Sequence, residues 1–188
     1  MTDILLRADC AQCAALCCVA LAFDRSELFA FDKAAGQPCP NLSARGRCAI
    51  HARREEGGFA GCVTFDCRGA GQRVTRMFAG CSWRDGAETA REMFDAFSAM
   101  RGVHELLLLV CEAGKLALSP RLAEVRRELE GRLTQDAQTP QSLADFVRSA
   151  RKRDVMAFLV ELRSVASLPA LDPSDTSSAR RRAGRSCR

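Results

Sequence analysis

Four thiols in nine residues, Cys10, Cys13, Cys17 and Cys18, constrain this chain more than any other feature in it. Four more follow at Cys39, Cys48, Cys62 and Cys67. Between residues 10 and 67 cysteine makes up roughly 14% of the chain, far above ordinary usage. A single free cysteine is best read as a small buried hydrophobe. Four so close together, where alanine would fill the same space, read instead as thiolate ligands of a metal.

The compartment matters to that reading. The N-terminal stretch has an acid at Asp3 and no long apolar run behind a basic start, so it does not read as a secretion signal. The longest aliphatic run, Leu106 to Val110, lies between Glu105 and Glu112 and is too short to cross a bilayer. No membrane partner and a cytoplasmic location are therefore expected. In a reducing cytosol a dense cysteine pattern points to metal binding or catalysis rather than to disulfides. Eleven cysteines are also an odd number, with Cys187 the outlier.

The formal charge of +5 is unevenly placed. From Asp172 to Arg188 five arginines face two aspartates, which leaves +2 on the body. A nearly neutral body with a basic tail argues against nucleic acid as a partner. No phosphate loop, dinucleotide fingerprint or His-Glu-x-x-His helix is present.

Around the first thiols, Ile4 to Leu21 reads as one helix, since Ala, Leu, Gln and Val fill the gaps without Gly or Pro. On such a helix Cys10, Cys13 and Cys17 fall within roughly 60° of one another and Cys18 roughly 80° aside. Ala22 to Asp32 alternates aromatic and acidic residues and reads as a short strand or lid, its Phe side chains covering the cysteines. Cys39, Cys48, Cys62 and Cys67 sit in turns bounded by Gly or Pro, which fix the backbone so that a side chain is presented.

The order Cys-x-x-Cys-x-x-x-Cys-Cys, then Cys39-Pro-Asn-Leu, Gly46-Arg-Cys48-Ala-Ile-His51, Cys62 and Cys67 resembles the bacterial zinc- or iron-chelating family with the CxxCxxCC, or YkgJ-type, cysteine cluster. It looks closer still to the cysteine-rich N-terminal part of some actinobacterial pentapeptide-repeat proteins. The likeness covers about residues 8 to 85. It implies a metal-chelating role for Cys10, Cys13, Cys17, Cys18, Cys39, Cys48, Cys62 and Cys67. Three residues precede the Cys-Cys pair where the commoner pattern has two, and Arg54-Glu-Glu-Gly stands where an Arg-Pro step is usual. No pentapeptide repeat follows, so the nucleic-acid mimicry associated with such repeats is not transferred.

Zinc on four thiolates and a cubane iron–sulfur cluster are both anionic, and Arg7, Arg45, Arg47, Arg53, Arg54, Arg68 and Arg73 flank the candidate ligands. The cofactor expected is an iron–sulfur cluster or zinc; irregular spacing and an all-sulfur donor set favour iron–sulfur. His51 is either a ligand in a mixed Cys48-x-x-His51 knuckle or a ring hydrogen-bonded to a sulfur, the second being preferred. Cys81 reads as packing filler.

Beyond this region helical periodicity takes over. Glu88–Met100 puts Ala90, Met93, Phe94 and Phe97 on one face, and Val103–Leu118 is apolar enough to be the centre of a bundle. Ser119-Pro120 and Thr139-Pro140 are start signals for two further helices. The last helical stretch, Ser142–Val165, is expected to break near Arg151, burying Leu143, Phe146 and Val147 and then Val155, Phe158, Leu159 and Leu162. His104 and Cys111 read as core residues.

The expected architecture is mainly α: an irregular cysteine-rich metal-binding lobe (1–85) packed on a C-terminal helical bundle (86–168), then a disordered basic tail (169–188). The expected function is metal binding. The alternatives are a metal-cluster-dependent redox or peptide-modifying enzyme, and a thiol-based redox sensor using Cys17-Cys18 or Cys10-x-x-Cys13. A partner protein would dock on the helical bundle.

Overall fold

The computed structural model describes residues 6–165, so the basic tail and Cys187 lie outside the described residues. The fold is mainly α. Among the described residues there are seven α-helices and no strand: α1 (Leu16–Ala20), α2 (Ala60–Thr64), α3 (Ala70–Met77), α4 (Ala87–Ala113), α5 (Pro120–Asp136), α6 (Pro140–Arg148) and α7 (Arg151–Val165). Two 3-10 turns, Cys10–Gln12 and His51–Arg53, complete the regular structure.

Helix α4 is the axis of the molecule. Its 27 residues span about 40 Å. The two apolar segments seen in the sequence are one helix, which Gly102 does not interrupt. A Cβ at Gly102 would meet the Phe146 ring at 3.4 Å, so the glycine leaves room for α6 to lie against α4. Met93, Phe97, Met100, Val103, Leu107 and Val110 are fully buried along this helix and face α3, α5, α6 and α7. Burying each such side chain contributes about 1.5–3 kcal/mol, which makes this stripe the main source of cohesion.

The helix starts follow their sequence signals. The Ser119 hydroxyl accepts the Leu122 N–H at 3.3 Å ahead of Pro120, and Thr139 and Ser142 form a reciprocal capping box ahead of Pro140. The last helical stretch breaks at Ser149, whose extended backbone ends α6 and whose hydroxyl accepts the Arg151 N–H at 3.2 Å. Arg151 then pairs with the buried Asp136 at 2.8 Å, tying the start of α7 to the end of α5. Val147 departs from expectation. It is 68% exposed, because the nine-residue α6 turns only its Leu143 and Phe146 edge inward.

Two differences concern the thiol-bearing half. The helix expected over Ile4–Leu21 is not continuous: a 3-10 turn at Cys10–Gln12 is followed by extended Cys13 and left-handed Ala15 (φ 60°, ψ 33°) before α1. Competing hydrogen bonds explain the break. The Asp9 carboxylate accepts the Ala11 N–H at 2.9 Å, and the Thr75 hydroxyl accepts the Ala14 N–H at 2.9 Å, so neither amide is free for a helical ladder. Cys10, Cys13 and Cys17 therefore do not form a stripe on one helix. Conversely, residues 57–71, read as a glycine-bounded turn carrying Cys62 and Cys67, contain α2 and the start of α3, and Ala70 and Val74 of α3 enter the core against α4.

Candidate metal centre

Short chain segments converge at one end of α4. Phe23 and Lys33 pair as an isolated antiparallel bridge, as do Leu42 and Cys48, so the aromatic-acidic stretch and the Cys39–Cys48 segment are hairpin-like loops without a sheet. Phe23 stacks on Phe29 with ring centroids 4.3 Å apart. These loops, the Cys10–Cys18 segment, α2 and the start of α3 enclose a cavity of about 510 Å³.

All eight thiols singled out in the sequence, Cys10, Cys13, Cys17, Cys18, Cys39, Cys48, Cys62 and Cys67, line this one cavity. Cys111 and Cys81 do not. Cys81 is exposed, so it is not packing filler; the turn that carries it lies on the surface. None of the ten described cysteines forms a disulfide. Phe23, Phe29, Phe59, Phe65 and Phe97 make the remaining wall largely apolar, the last of them bringing α4 into the site. His51 is exposed at the edge of the cavity.

Sulfur spacing limits what can be held. The Cys17 and Cys18 Sγ atoms are 3.9 Å apart, close to the distance of about 3.8 Å that tetrahedral geometry sets between two sulfurs on one zinc with 2.3 Å bonds. Among the described residues, however, no three Cys, His, Asp or Glu side chains stand close enough together to share a single ion. The thiols ring a space wider than one coordination sphere, and drawing three or four onto an ion requires side-chain rotation.

Three observations bear on whether the residues suit a thiolate-bound centre. The donor set is all sulfur. Gly71 leaves a cradle: a Cβ there would lie 2.5 Å from Cys13 Sγ and 3.8 Å from Cys67 Sγ, so these two sulfurs occupy the space a side chain would take. Third, Lys33 is 4% exposed, with its ammonium donating to the carbonyls of Val19 (3.0 Å), Ala34 (3.1 Å) and Gln37 (2.8 Å). Among the described residues it has no carboxylate partner, and the groups whose negative charge reaches it are Cys39, Cys18 and Cys17. A buried cation is costly unless an anion accompanies it, and thiolates are the anions this site can offer. The residues fit an anionic metal–thiolate group.

Without metal, four of these thiols, Cys10, Cys13, Cys17 and Cys62, resist ionisation. Burial pushes Cys13 up to about 11, and Cys10 and Cys62 also shift upward, chiefly through burial. Cys17 is raised by its contact with the Cys18 sulfur and then by burial. Arg54 works in the opposite direction on Cys10 and Cys62. Of the arginines expected around the site, Arg47 and Arg54 line the cavity; Arg73 instead donates to the Ala137 carbonyl in the bundle, and Arg68 pairs with Asp66.

Two buried polar residues support the site: Lys33, and His104, which sits in the core as its sequence position implied. His104, 1% exposed on α4, contacts the Arg68 carbonyl through Nδ1 at 2.6 Å, one residue past Cys67. Arg68 is left-handed (φ 49°), as is Ala15 between Cys13 and Cys17; among the described residues both non-glycine positions of positive φ thus flank thiols. Lys33 had a sequence signal, being one of only three lysines in an arginine-rich chain. His104 had none beyond its place on an apolar helix.

Comparison with known proteins gives little beyond this geometry. No family model matches the chain and no solved structure matches it. It is similar to the uncharacterized protein YybG of Bacillus subtilis, at 44% identity over 127 residues. The match takes in 66% of this chain and 46% of that protein, so the chain spans less than half the length of the relative it resembles.

Proposed function

We propose that this chain is a metal-binding protein that holds an iron–sulfur cluster or zinc through the thiolates of Cys10, Cys13, Cys17, Cys18, Cys39, Cys48, Cys62 and Cys67. The observation that carries the reading is the meeting of all eight thiols, drawn from well-separated stretches of sequence, in one cavity. Iron–sulfur clusters suit the all-sulfur donor set, and being larger than one ion they suit its wide spacing. When bound, such a group supplies electron transfer or Lewis acidity; zinc supplies structural cohesion. Lys33 and Arg54 offset the negative charge, and the Phe wall limits water at the sulfurs. The reading assumes a reducing, cytoplasmic setting.

A metal-dependent enzyme is the second reading, favoured by the apolar wall of Phe23, Phe29, Phe59, Phe65 and Phe97, which would suit an organic substrate beside the thiols. The redox-sensor alternative gains from the 3.9 Å approach of Cys17 and Cys18 but loses from the upward shift of Cys17, since sensor thiols ionise easily.

Anaerobic purification followed by elemental analysis and an absorption spectrum tests the proposal. Bound iron with visible absorption, or stoichiometric zinc in a colourless protein, supports it; Cys17→Ser should then lower the metal content. A metal-free protein that takes up neither metal on reconstitution, and whose thiols oxidise reversibly, would overturn it in favour of the sensor.

A further inference from the structure

The eight thiols are not bound equally to one another by the backbone around them. The Cys10–Cys13 turn is fastened to α3: Asp9 N–H donates to Gln72 Oε1 at 3.0 Å, Gln72 Nε2 to the Arg7 carbonyl at 2.6 Å, and Ala14 N–H to Thr75 Oγ1 at 2.9 Å. Cys67 precedes the same helix, its carbonyl accepting the Ala70 N–H at 3.0 Å, and Cys13 and Cys67 share the space over Gly71. Cys10, Cys13 and Cys67 thus belong to one rigid corner.

A second corner is built by different bonds. Cys39 N–H donates to the Cys18 carbonyl at 2.9 Å, and Cys48 is joined to the Cys39 turn through the Leu42–Cys48 bridge and the Ala49 N–H to Asn41 carbonyl bond of 2.8 Å. Arg54 closes the corner, donating to the His51 carbonyl after Cys48 and to the Cys62 carbonyl, each at 2.9 Å. Among the described residues one long hydrogen bond crosses between the corners, from Arg47 to the Cys10 carbonyl at 3.5 Å. Charge interactions between thiols follow the same grouping in part: Cys10 and Cys13 each feel Cys17 and Cys67, whereas Cys62 feels Cys39 and Cys48 as well as Cys17, and Arg54 reaches both Cys10 and Cys62. Cys17 stands between the corners with its sulfur 3.9 Å from Cys18.

Resting on the metal-binding reading, we infer that the cavity holds two metal centres, one on Cys10, Cys13, Cys17 and Cys67 and the other on Cys18, Cys39, Cys48 and Cys62, with the adjacent Cys17 and Cys18 dividing between them. Four thiolates complete a zinc or cubane cluster site, so eight complete two. A single centre would leave four of the cavity-lining thiols without a ligand role. Each divalent ion displaces the remaining thiol protons of its tetrad into solvent and forms sulfur–metal bonds without change of oxidation state.

Cobalt(II) is a suitable probe because its thiolate complexes absorb in the near ultraviolet and visible. The metal-free full chain, titrated anaerobically and weighed by native mass spectrometry, should take up two Co2+. Cys13→Ser and Cys67→Ser should each keep one, as should Cys39→Ser and Cys48→Ser, while Cys13→Ser combined with Cys48→Ser should keep none. Two positions in each tetrad, on different stretches of chain, prevent a folding defect at one site from deciding the outcome; Cys111→Ser should keep two. Saturation of the parent at one Co2+, or loss of both ions from single variants of either tetrad while helical circular dichroism is retained, would overturn the two-centre inference and leave metal binding standing. No thiolate-to-cobalt absorption at all would overturn both.

Discussion

Replacing Gly71 by alanine separates a metal-bearing site from a merely cysteine-lined one, because the two respond with opposite emphasis. The new Cβ would stand 2.5 Å from Cys13 Sγ, about 1 Å inside ordinary contact. In the metal-free protein the Cys13 side chain can rotate away. Overpacking then costs about 1–3 kcal/mol, offset by about 0.5–1 kcal/mol of helix propensity gained within α3. The melting temperature should therefore fall by no more than about 10 °C. A metal-bound sulfur has no such freedom, since ligand positions tolerate only about 0.2 Å. Displacing it by about 1 Å removes a ligand, and affinity for Co2+ or Zn2+ should drop by at least about 100-fold, more than the loss of an outer-sphere partner. Gly131→Ala is the control: it lies exposed in α5 with nothing within 4 Å of the added Cβ, so it should stabilise the fold by up to about 1 kcal/mol without touching the metal. The assay is competition with a chromophoric chelator, alongside thermal melts of metal-free protein. Metal affinity within about twofold of the parent in Gly71→Ala would refute the placement of a bound Cys13 sulfur over Gly71.

Lys33→Met removes the buried ammonium from the Gln37 carbonyl and from the Val19 and Ala34 carbonyls, which keep the Gly36 and Gln37 N–H donors; metal affinity should fall by about tenfold or more, and an unchanged chelator-competition curve would show that the cation does not balance the thiolates. Asp136→Asn should cost about 1–3 kcal/mol in denaturant unfolding, because it leaves Arg151 without its charged partner, while bound metal stays constant. Burial lowers the His104 pKa from its ordinary 6.5, so the folded state keeps a neutral ring while the unfolded chain takes up a proton below about 6.5. Stability of the metal-free protein should consequently fall with pH from about 6.5 toward the depressed folded value, by at most about 1.4 kcal/mol per unit from this group. His104→Asn, whose amide can still donate to the Arg68 carbonyl, should flatten that slope; an identical slope in denaturation at pH 7 and 5.5 would contradict it.

The helical half was readable because its information is local. Ser119-Pro120 and Thr139-Pro140 carry their own caps, and the apolar spacing from Met93 to Val110 repeats with the helical period. The thiol-bearing half depends on distant contacts. Nothing near Cys10 or Cys17 announces that Thr75, some 60 residues on, takes the Ala14 amide and turns an expected helix into a turn, an extended link and α1. The identity of the cavity-lining thiols was legible from their density alone, but their grouping was not. It depends on Gln72 and Thr75 binding backbone some 60 residues away, and on Arg54 linking the His51 and Cys62 carbonyls. Val147 misled for a simpler reason, since an apolar residue at a helix end satisfies the period without having a neighbour to cover it.

The chain contains one tryptophan and no tyrosine. Trp83 donates its indole N–H to the Ala14 carbonyl at 2.8 Å, on the residue directly after Cys13. Ultraviolet emission from the unlabelled protein therefore originates at a single ring anchored to the loop that carries the thiols. Nature has in effect installed a fluorophore there, and its brightness and colour offer a continuous optical readout of whatever enters or leaves the chamber.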